Sequence, residues 1–223
     1  MTSSVIKVLN KIKNSTIFED ELYFIGGTAL SYYINHRISE DIDIVSPKIL
    51  DYKKIIPALT SLGAKKINDE NITALRLAGL FPEEYILKFV FDEVKIEFFY
   101  ANRPIQKEIL VDTKYIKYEN STLKILDLKS IAKLKIVALF QRDKARDLFD
   151  FCSILQNKVL TLAEILAISQ SIKNIDSKDK ILNFITSKKE SKDDESVYLN
   201  EQNKINLTFK EIKTNTISVL KKF

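Results

Sequence analysis

At about residue 127 the chain changes its period, and that change bounds the fold more tightly than any other feature of the sequence. Before it, apolar residues come in short runs and alternations between polar turns, as in EDIDIV, EYILKFVF and VKIEFFYA. Side chains that alternate faces in this way mark strands. After it, LKSIAKLKIVALFQRDKARDLFDFCSIL, LAEILAISQSI and KDKILNFITSKK repeat apolar residues at three- and four-residue spacing. That spacing marks helices that bury one side. The expected class is α+β, with an α/β domain over residues 1–126 and a helical domain over residues 127–223.

Within the first part, residues 4–13 read as a helix, ELYFIG as a buried strand, TALSYYINH as a helix and EDIDIV as a strand. DYKKIIPALTSLG reads as a helix ended by Gly63, with Pro57 kinking it or marking a boundary. Four strands are then expected in AKKIND, ITALRLAG, EYILKFVF and VKIEFFYA, the last two joined by a short hairpin turn at Asp92-Glu93. The charged stretch around residues 188–204 reads as a solvated loop, and LTFKEIKTNTISVLKKF as a final amphipathic helix. No internal repeat is present.

Composition narrows the chemistry. The single cysteine, Cys152, excludes an intramolecular disulfide and a cysteine-based zinc cluster. With His36 the sole histidine, a His/Cys metal site and a Ser-His-Asp triad are set aside. Catalysis would then rest on carboxylates, lysine, arginine and backbone amides. A net charge of +5 suits a polyanionic partner, though the heavy use of Lys, Ile and Asn that a biased genomic base composition gives would produce it equally well. No apolar stretch is long enough to cross a membrane, and MTSSVIKVLNKIKNS reads as an amphipathic helix rather than a signal peptide, so a cytoplasmic address is expected.

Gly26, Gly27 and Thr28 stand between a strand and a helix, where unpaired N–H groups and the helix dipole attract an anion. Glycine lets the backbone approach phosphate oxygens closely, and the same pair would also serve an ordinary tight turn. Asp41 and Asp43 lie two apart on a strand and so share a face, with Cα atoms roughly 6.7 Å apart. Carboxylates so placed suit a pair of divalent cations about 3.5–4 Å apart, or, in the plainer reading, a half-exposed edge strand. Lys95, Glu97 and Phe99 share one face of VKIEFFY, which makes Glu97 a third metal ligand and proton acceptor, or a surface charge paired with Lys95. Lys135, Arg142 and Arg146 fall near one stripe of the strongest helix, positioned for triphosphate oxygens or for a solvent face of ion pairs with Asp143 and Asp147. Asp147, Asp150 and Arg146 are candidates for structural pairs that orient that helix.

In this order, GGTAL, HRISEDIDI, VKIEFF and KIVALFQRDKARDLFDF resemble the AbiEii/AbiGii-type nucleotidyltransferases of the abortive-infection toxin family, over about residues 22–152. The resemblance implies a polymerase-β-like nucleotidyltransferase domain with a mixed sheet, followed by a helical C-terminal region. It implies that Gly26, Gly27 and Thr28 hold nucleotide phosphates, that Asp41 and Asp43 hold Mg²⁺ or Mn²⁺, and that Lys135 neutralises triphosphate charge. Asp147 falls where the family has the acid of the same helix motif, while Glu97 stands where relatives often have Asp. The activity implied is transfer of a nucleoside monophosphate from an NTP to a hydroxyl, with RNA, tRNA especially, as acceptor and an antitoxin as partner. Arg37 and Ser39 match the segment before the aspartates as turn-fixing residues, and His36 beside them reads as a turn or surface histidine. Two competing readings share the catalytic half: an aminoglycoside-type small-molecule nucleotidyltransferase, and a catalytically impaired nucleic-acid-binding module.

Overall fold

The computed structural model describes residues 1–68, 72–111, 113–191, 197–199 and 206–223. Much of the charged stretch expected as a loop around residues 188–204 lies outside the described residues. The strands are β1 (Tyr23–Ile25), β2 (Ile42–Ser46), β3 (Lys65–Ile67), β4 (Ile86–Phe91), β5 (Val94–Tyr100), β6 (Tyr115–Lys117), β7 (Lys124–Leu126), β8 (Val197–Tyr198) and β9 (Asn206–Leu207). The helices are α1 (Ser3–Ile12), α2 (Gly26–Ile34), α3 (Tyr52–Ser61), α4 (Ile72–Leu77), α5 (Pro104–Val111), α6 (Leu128–Gln141), α7 (Ala145–Gln156), α8 (Leu162–Lys173), α9 (Lys178–Ser187) and α10 (Phe209–Lys222). They form two compact units: Met1–Ala29 with Ser39–Asp127, and Leu30–Ile38 with Leu128–Phe223.

The first unit is built on a seven-stranded sheet of order β3-β4-β5-β2-β1-β7-β6. It is mixed: β2 runs parallel to β5 and β1 parallel to β7, while the remaining neighbours are antiparallel. Period two does the sorting. Ile42 and Ile44 of β2, Leu87 and Phe89 of β4, and Ile96 and Phe98 of β5 are buried together on one face. Helix α1 packs against β5 there, because Val5, Val8, Leu9 and Ile12 form its buried stripe. Phe18 stacks on Phe98 at 6.5 Å between ring centres, and Phe89 meets Phe98 edge-on at 6.1 Å.

ITALRLAG, expected as a strand, is helix α4. Its alternation is too short to outweigh the helix preference of Ala, Leu and Arg, and none of its helical residues is buried against a partner. Pro57 lies inside α3, which continues through it. The short strands β6 and β7 carry too few residues to show a period.

In the second unit, α6 packs on α7 and α8, and α10 packs on α7 and α9. Ile131, Phe140, Phe151, Ile165, Ile181 and Leu220 are fully or nearly fully buried. The single helix expected over LKSIAKLKIVALFQRDKARDLFDFCSIL is broken between Gln141 and Ala145. A straight helix of that length would reach about 40 Å and bury little, whereas the break at Arg142–Lys144 lets α7 turn back onto α6. The final helix capped by Thr208 and Glu211 is present as expected.

The β4–β5 hairpin turns at Asp92 and Glu93 with φ of 46° and 67°, left-handed values without a glycine to relax them. Replacing Glu93 with glycine removes that strain, partly offset by greater freedom in the unfolded chain. Urea unfolding of the Glu93→Gly variant should show a gain of up to about 1 kcal/mol; a loss of stability would mean that Glu93 makes a compensating contact.

Candidate active site

β2 begins at Ile42, so of the two aspartates expected on one strand only Asp43 lies within it. Ile42 and Ile44 are fully buried, and the alternate residue Asp43 is half-buried on the opposite face. Asp41, one residue ahead of β2 and of the same parity, is also half-buried. The parallel pairing of β2 with β5 sets Asp43 directly beside Glu97, and the antiparallel pairing of β5 with β4 sets Glu97 beside Lys88. Directly paired residues share a face, so Asp43, Glu97 and Lys88 form one row across three strands.

The turn after β1 fits against this row. Gly26 has φ of +82°, and a Cβ built on it would lie 2.0 Å from Asp43 Oδ2 and 2.8 Å from its Cγ. The absent side chain is thus replaced by the Asp43 carboxylate, a use of glycine beyond the close phosphate approach expected from the sequence. Gly27, the second residue of α2, is buried. Thr28 is fully buried; its hydroxyl donates to the Asp41 carbonyl and shares a 2.8 Å hydrogen bond with Ser39. Thr28 and Ser39 therefore fix the backbone that carries Asp41, and Ser39 plays the turn-fixing part expected of it.

Glu97 is drawn towards Lys88, its carboxylate 3.1 Å from the ammonium, with both side chains well exposed. Among the described residues no three His, Cys, Asp or Glu side chains stand close enough together to hold a metal ion. Like charges repel, and Lys88 competes for Glu97, so the register sets Asp43 and Glu97 on one face without closing the three acids into a triad. The donors nevertheless fit a hard divalent cation: they are carboxylate oxygens only, and Asp43 is cradled against a glycine with no side chain in the way.

The second unit holds the basic residues in a different arrangement from a helix stripe, because the break after Gln141 puts Arg142 past the end of α6 and Arg146 on α7. Lys135 is buried, with its ammonium 2.7 Å from Asp150 and 3.6 Å from Asp147. Arg142 grips Asp147 through two nitrogens at 2.5 and 3.0 Å. Asp143 pairs with Lys188 at 2.8 Å. Asp150, which has no exposed surface, also receives Arg37 at 2.7 and 3.2 Å and His36 Nε2 at 2.7 Å. Burial raises the Asp150 pKa, but Arg37, Lys135 and the His36 hydrogen bond outweigh it and hold the carboxyl well below its usual range. Burial lowers the His36 pKa against the pull of Asp150. His36 is accordingly no surface residue, its side chain being 4% exposed.

The profile of the family described as "Nucleotidyl transferase AbiEii toxin, Type IV TA system" matches residues 9–211, nearly the whole chain. The chain belongs to the AbiEii nucleotidyltransferase toxin family. This AbiEii-family chain is therefore a nucleotidyltransferase, with the mixed-sheet and helical parts the resemblance implied. Among solved structures it is similar to MenT4, a nucleotidyltransferase toxin of Mycobacterium tuberculosis H37Rv, at 12% identity and a TM-score of 0.55, over 98% of this chain and 84% of that one. Two Helicobacter pylori proteins, JHP933 and one described as a putative nucleotidyltransferase, share 18% and 19% identity at TM-scores of 0.53. Each covers 99% of this chain, which in turn covers 91% and 95% of theirs. At these identities the likeness is one of fold. No curated protein matches the sequence significantly.

Sequence reasoning named the three acids but not Lys88, which only the strand register reveals. It also grouped Asp150 with the nearby Arg146 as a structural pair and missed Arg37, which is 113 residues away in the chain.

Two substitutions probe these arrangements. Gly26→Ala should displace the Asp43 carboxylate and cost about 1–2 kcal/mol from left-handed strain alone, measured by thermal or urea unfolding. Asp150→Asn should destabilise by about 3–5 kcal/mol at neutral pH, since Arg37 and Lys135 lose their buried counter-charge. Because the folded pKa of Asp150 is depressed, its contribution is full above the unfolded value of about 3.9 and is lost as pH falls towards the folded pKa. The gap between wild type and variant should therefore narrow below about pH 4; a gap independent of pH would contradict the ionised assignment.

Proposed function

We propose that this chain transfers a nucleoside monophosphate from an NTP to a hydroxyl of RNA, with tRNA the leading candidate, as the toxin of a type IV toxin–antitoxin pair. The observation that carries the reading is the row in which Asp43 and Glu97 share a face beside the Gly26 turn. Membership of the AbiEii family supports the reaction class and the pairing with an antitoxin.

In this reading Asp41, Asp43 and Glu97 hold divalent cations, Mg²⁺ or Mn²⁺. Cations bound there would lower the pKa of the acceptor hydroxyl and offset charge on the triphosphate. The chain's own groups do the rest. Thr28 and Ser39 hold the Asp41 backbone in place. The Gly26-Gly27-Thr28 turn offers backbone amides at the start of α2 to phosphate oxygens. Glu97 accepts the acceptor's proton as the new oxygen–phosphorus bond forms and the bond to pyrophosphate breaks. Lys135, Arg142 and Asp147 are carried over from the resemblance as the nucleotide-binding set. Lys135 is engaged by Asp150 and Asp147, so its charge reaches a phosphate only by exchange with a carboxylate.

No helix among the described residues is long and apolar enough to cross a membrane, and a cytoplasmic site of action is part of the proposal.

Incubation with each α-labelled NTP, Mg²⁺ or Mn²⁺, and total cellular RNA should label RNA and release pyrophosphate; labelled aminoglycoside in place of RNA would contradict the acceptor. Asp43→Asn should lower transfer by at least about a hundredfold while leaving the melting temperature near that of wild type, since asparagine keeps the side chain's shape against Gly26 and an acceptor oxygen. A large loss of stability would instead mark Asp43 as a structural acid.

A further inference from the structure

The sheet face that carries Asp43 and Glu97 continues outward over β5, β4 and the edge strand β3. The register fixes what lies on it. Ile67 stands beside Lys88, Lys65 beside Val90, Val90 beside Lys95, and Ile86 beside Phe99. The opposite face of these strands is the buried one, with Leu87, Phe89, Ile96 and Phe98. On the outer face, Ile67 and Ile86 are 45% and 40% exposed, Lys65 and Lys95 are exposed, and Val90 and Phe99 are half-buried.

Two features of this face point to its occupant. First, its charge is one-sided: Lys65, Lys88 and Lys95 stand against the single carboxylate Glu97 on these three strands. Glu97 is engaged by Lys88, and neither Lys65 nor Lys95 has a carboxylate partner among the described residues. Second, the lysines alternate with flat apolar surface from Ile67, Ile86, Val90 and Phe99. A phosphate backbone meets the cations while unpaired bases lie on the apolar side chains, with the Phe99 ring as the aromatic platform for one of them. A duplex keeps its bases stacked inside and has no use for the apolar part. A polycationic small-molecule acceptor would be repelled. From Asp43 to the edge strand is three strand spacings, about 14 Å, room for the last few nucleotides of a strand.

We propose that the outer face of β3–β4–β5 is the track for the single-stranded end of the RNA acceptor, with Lys65 and Lys95 on its phosphates and the terminal hydroxyl led along the row to Glu97 and Asp43. This rests on the RNA-acceptor reading above and gives it a location.

The test is the double variant Lys65→Gln/Lys95→Gln, with Lys158→Gln/Lys173→Gln, an equal loss of charge at exposed positions of the second unit, as control. Binding of a fluorescein-labelled single-stranded oligoribonucleotide is followed by anisotropy across a salt series. Melting curves check that each variant is folded, and KM is measured for NTP and for RNA. The track variant should bind roughly tenfold or more weakly at low salt, with a log–log salt slope shallower by about 1.4, as for two lost single-strand phosphate contacts. KM for RNA should rise with KM for NTP unchanged, and the control should match wild type. Unchanged RNA affinity in the folded track variant, leaving the face to a protein partner, overturns the proposal, as does an equal loss in the control. Failure of the wild type to label any RNA rejects the acceptor reading itself, an outcome distinct from a wild type that labels RNA and a track variant that does so equally well.

Discussion

The position of the Asp43 carboxylate follows from strand register. It is set by backbone pairing on two sides: β1 lies antiparallel to β2 with Ile25 opposite Asp43, and β5 lies parallel with Glu97 opposite it. A slip of one residue in the second pairing would turn Glu97 into the core and bring Ile96 or Phe98 out. The fully buried Ile42, Ile44, Ile96 and Phe98 make that slip costly, so the apolar core enforces the polar geometry. Gly26 completes the arrangement, because any larger residue would occupy the volume of the Asp43 carboxylate.

The second unit solves a different electrostatic problem. Asp150 lies fully buried with Arg37, Lys135 and His36 around it, and Asp147 lies beside it with Arg142 and Lys135. Such a cluster is tolerated because each charge meets an opposite one and the carboxylate oxygens are hydrogen-bonded. It ties the Leu30–Ile38 segment to α7 and so explains why these residues group with the C-terminal helices. Lys135 is at once a structural cation and the residue that the family resemblance assigns to phosphate.

What the sequence disclosed follows from the range of each interaction. Alternation in VKIEFFY placed Glu97 opposite the buried Val94, Ile96 and Phe98, and the structure agrees, because face assignment needs only neighbouring residues. The paired aspartates, the glycine turn and the helical C-terminal part were legible for the same local reason. ITALRLAG misled because six or seven residues of mixed alternation do not separate a strand from a short exposed helix. The break at Arg142–Lys144 was hidden because helical spacing continues across it; only the packing of α7 on α6 demands it. Lys88 beside Glu97 and Arg37 on Asp150 depend on register and long-range packing, which a single sequence does not encode in its spacing.

For Asp41, Asp43 and Glu97 to serve one cation site, Glu97 must exchange Lys88 for metal. A crystal structure with Mn²⁺ and a non-hydrolysable NTP, phased or checked by manganese anomalous scattering, addresses it directly. The expected result is anomalous density ligated by Asp41 and Asp43, with the Glu97 carboxylate turned away from Lys88 towards it. Manganese ligated elsewhere while the Lys88–Glu97 pair stays intact would contradict it.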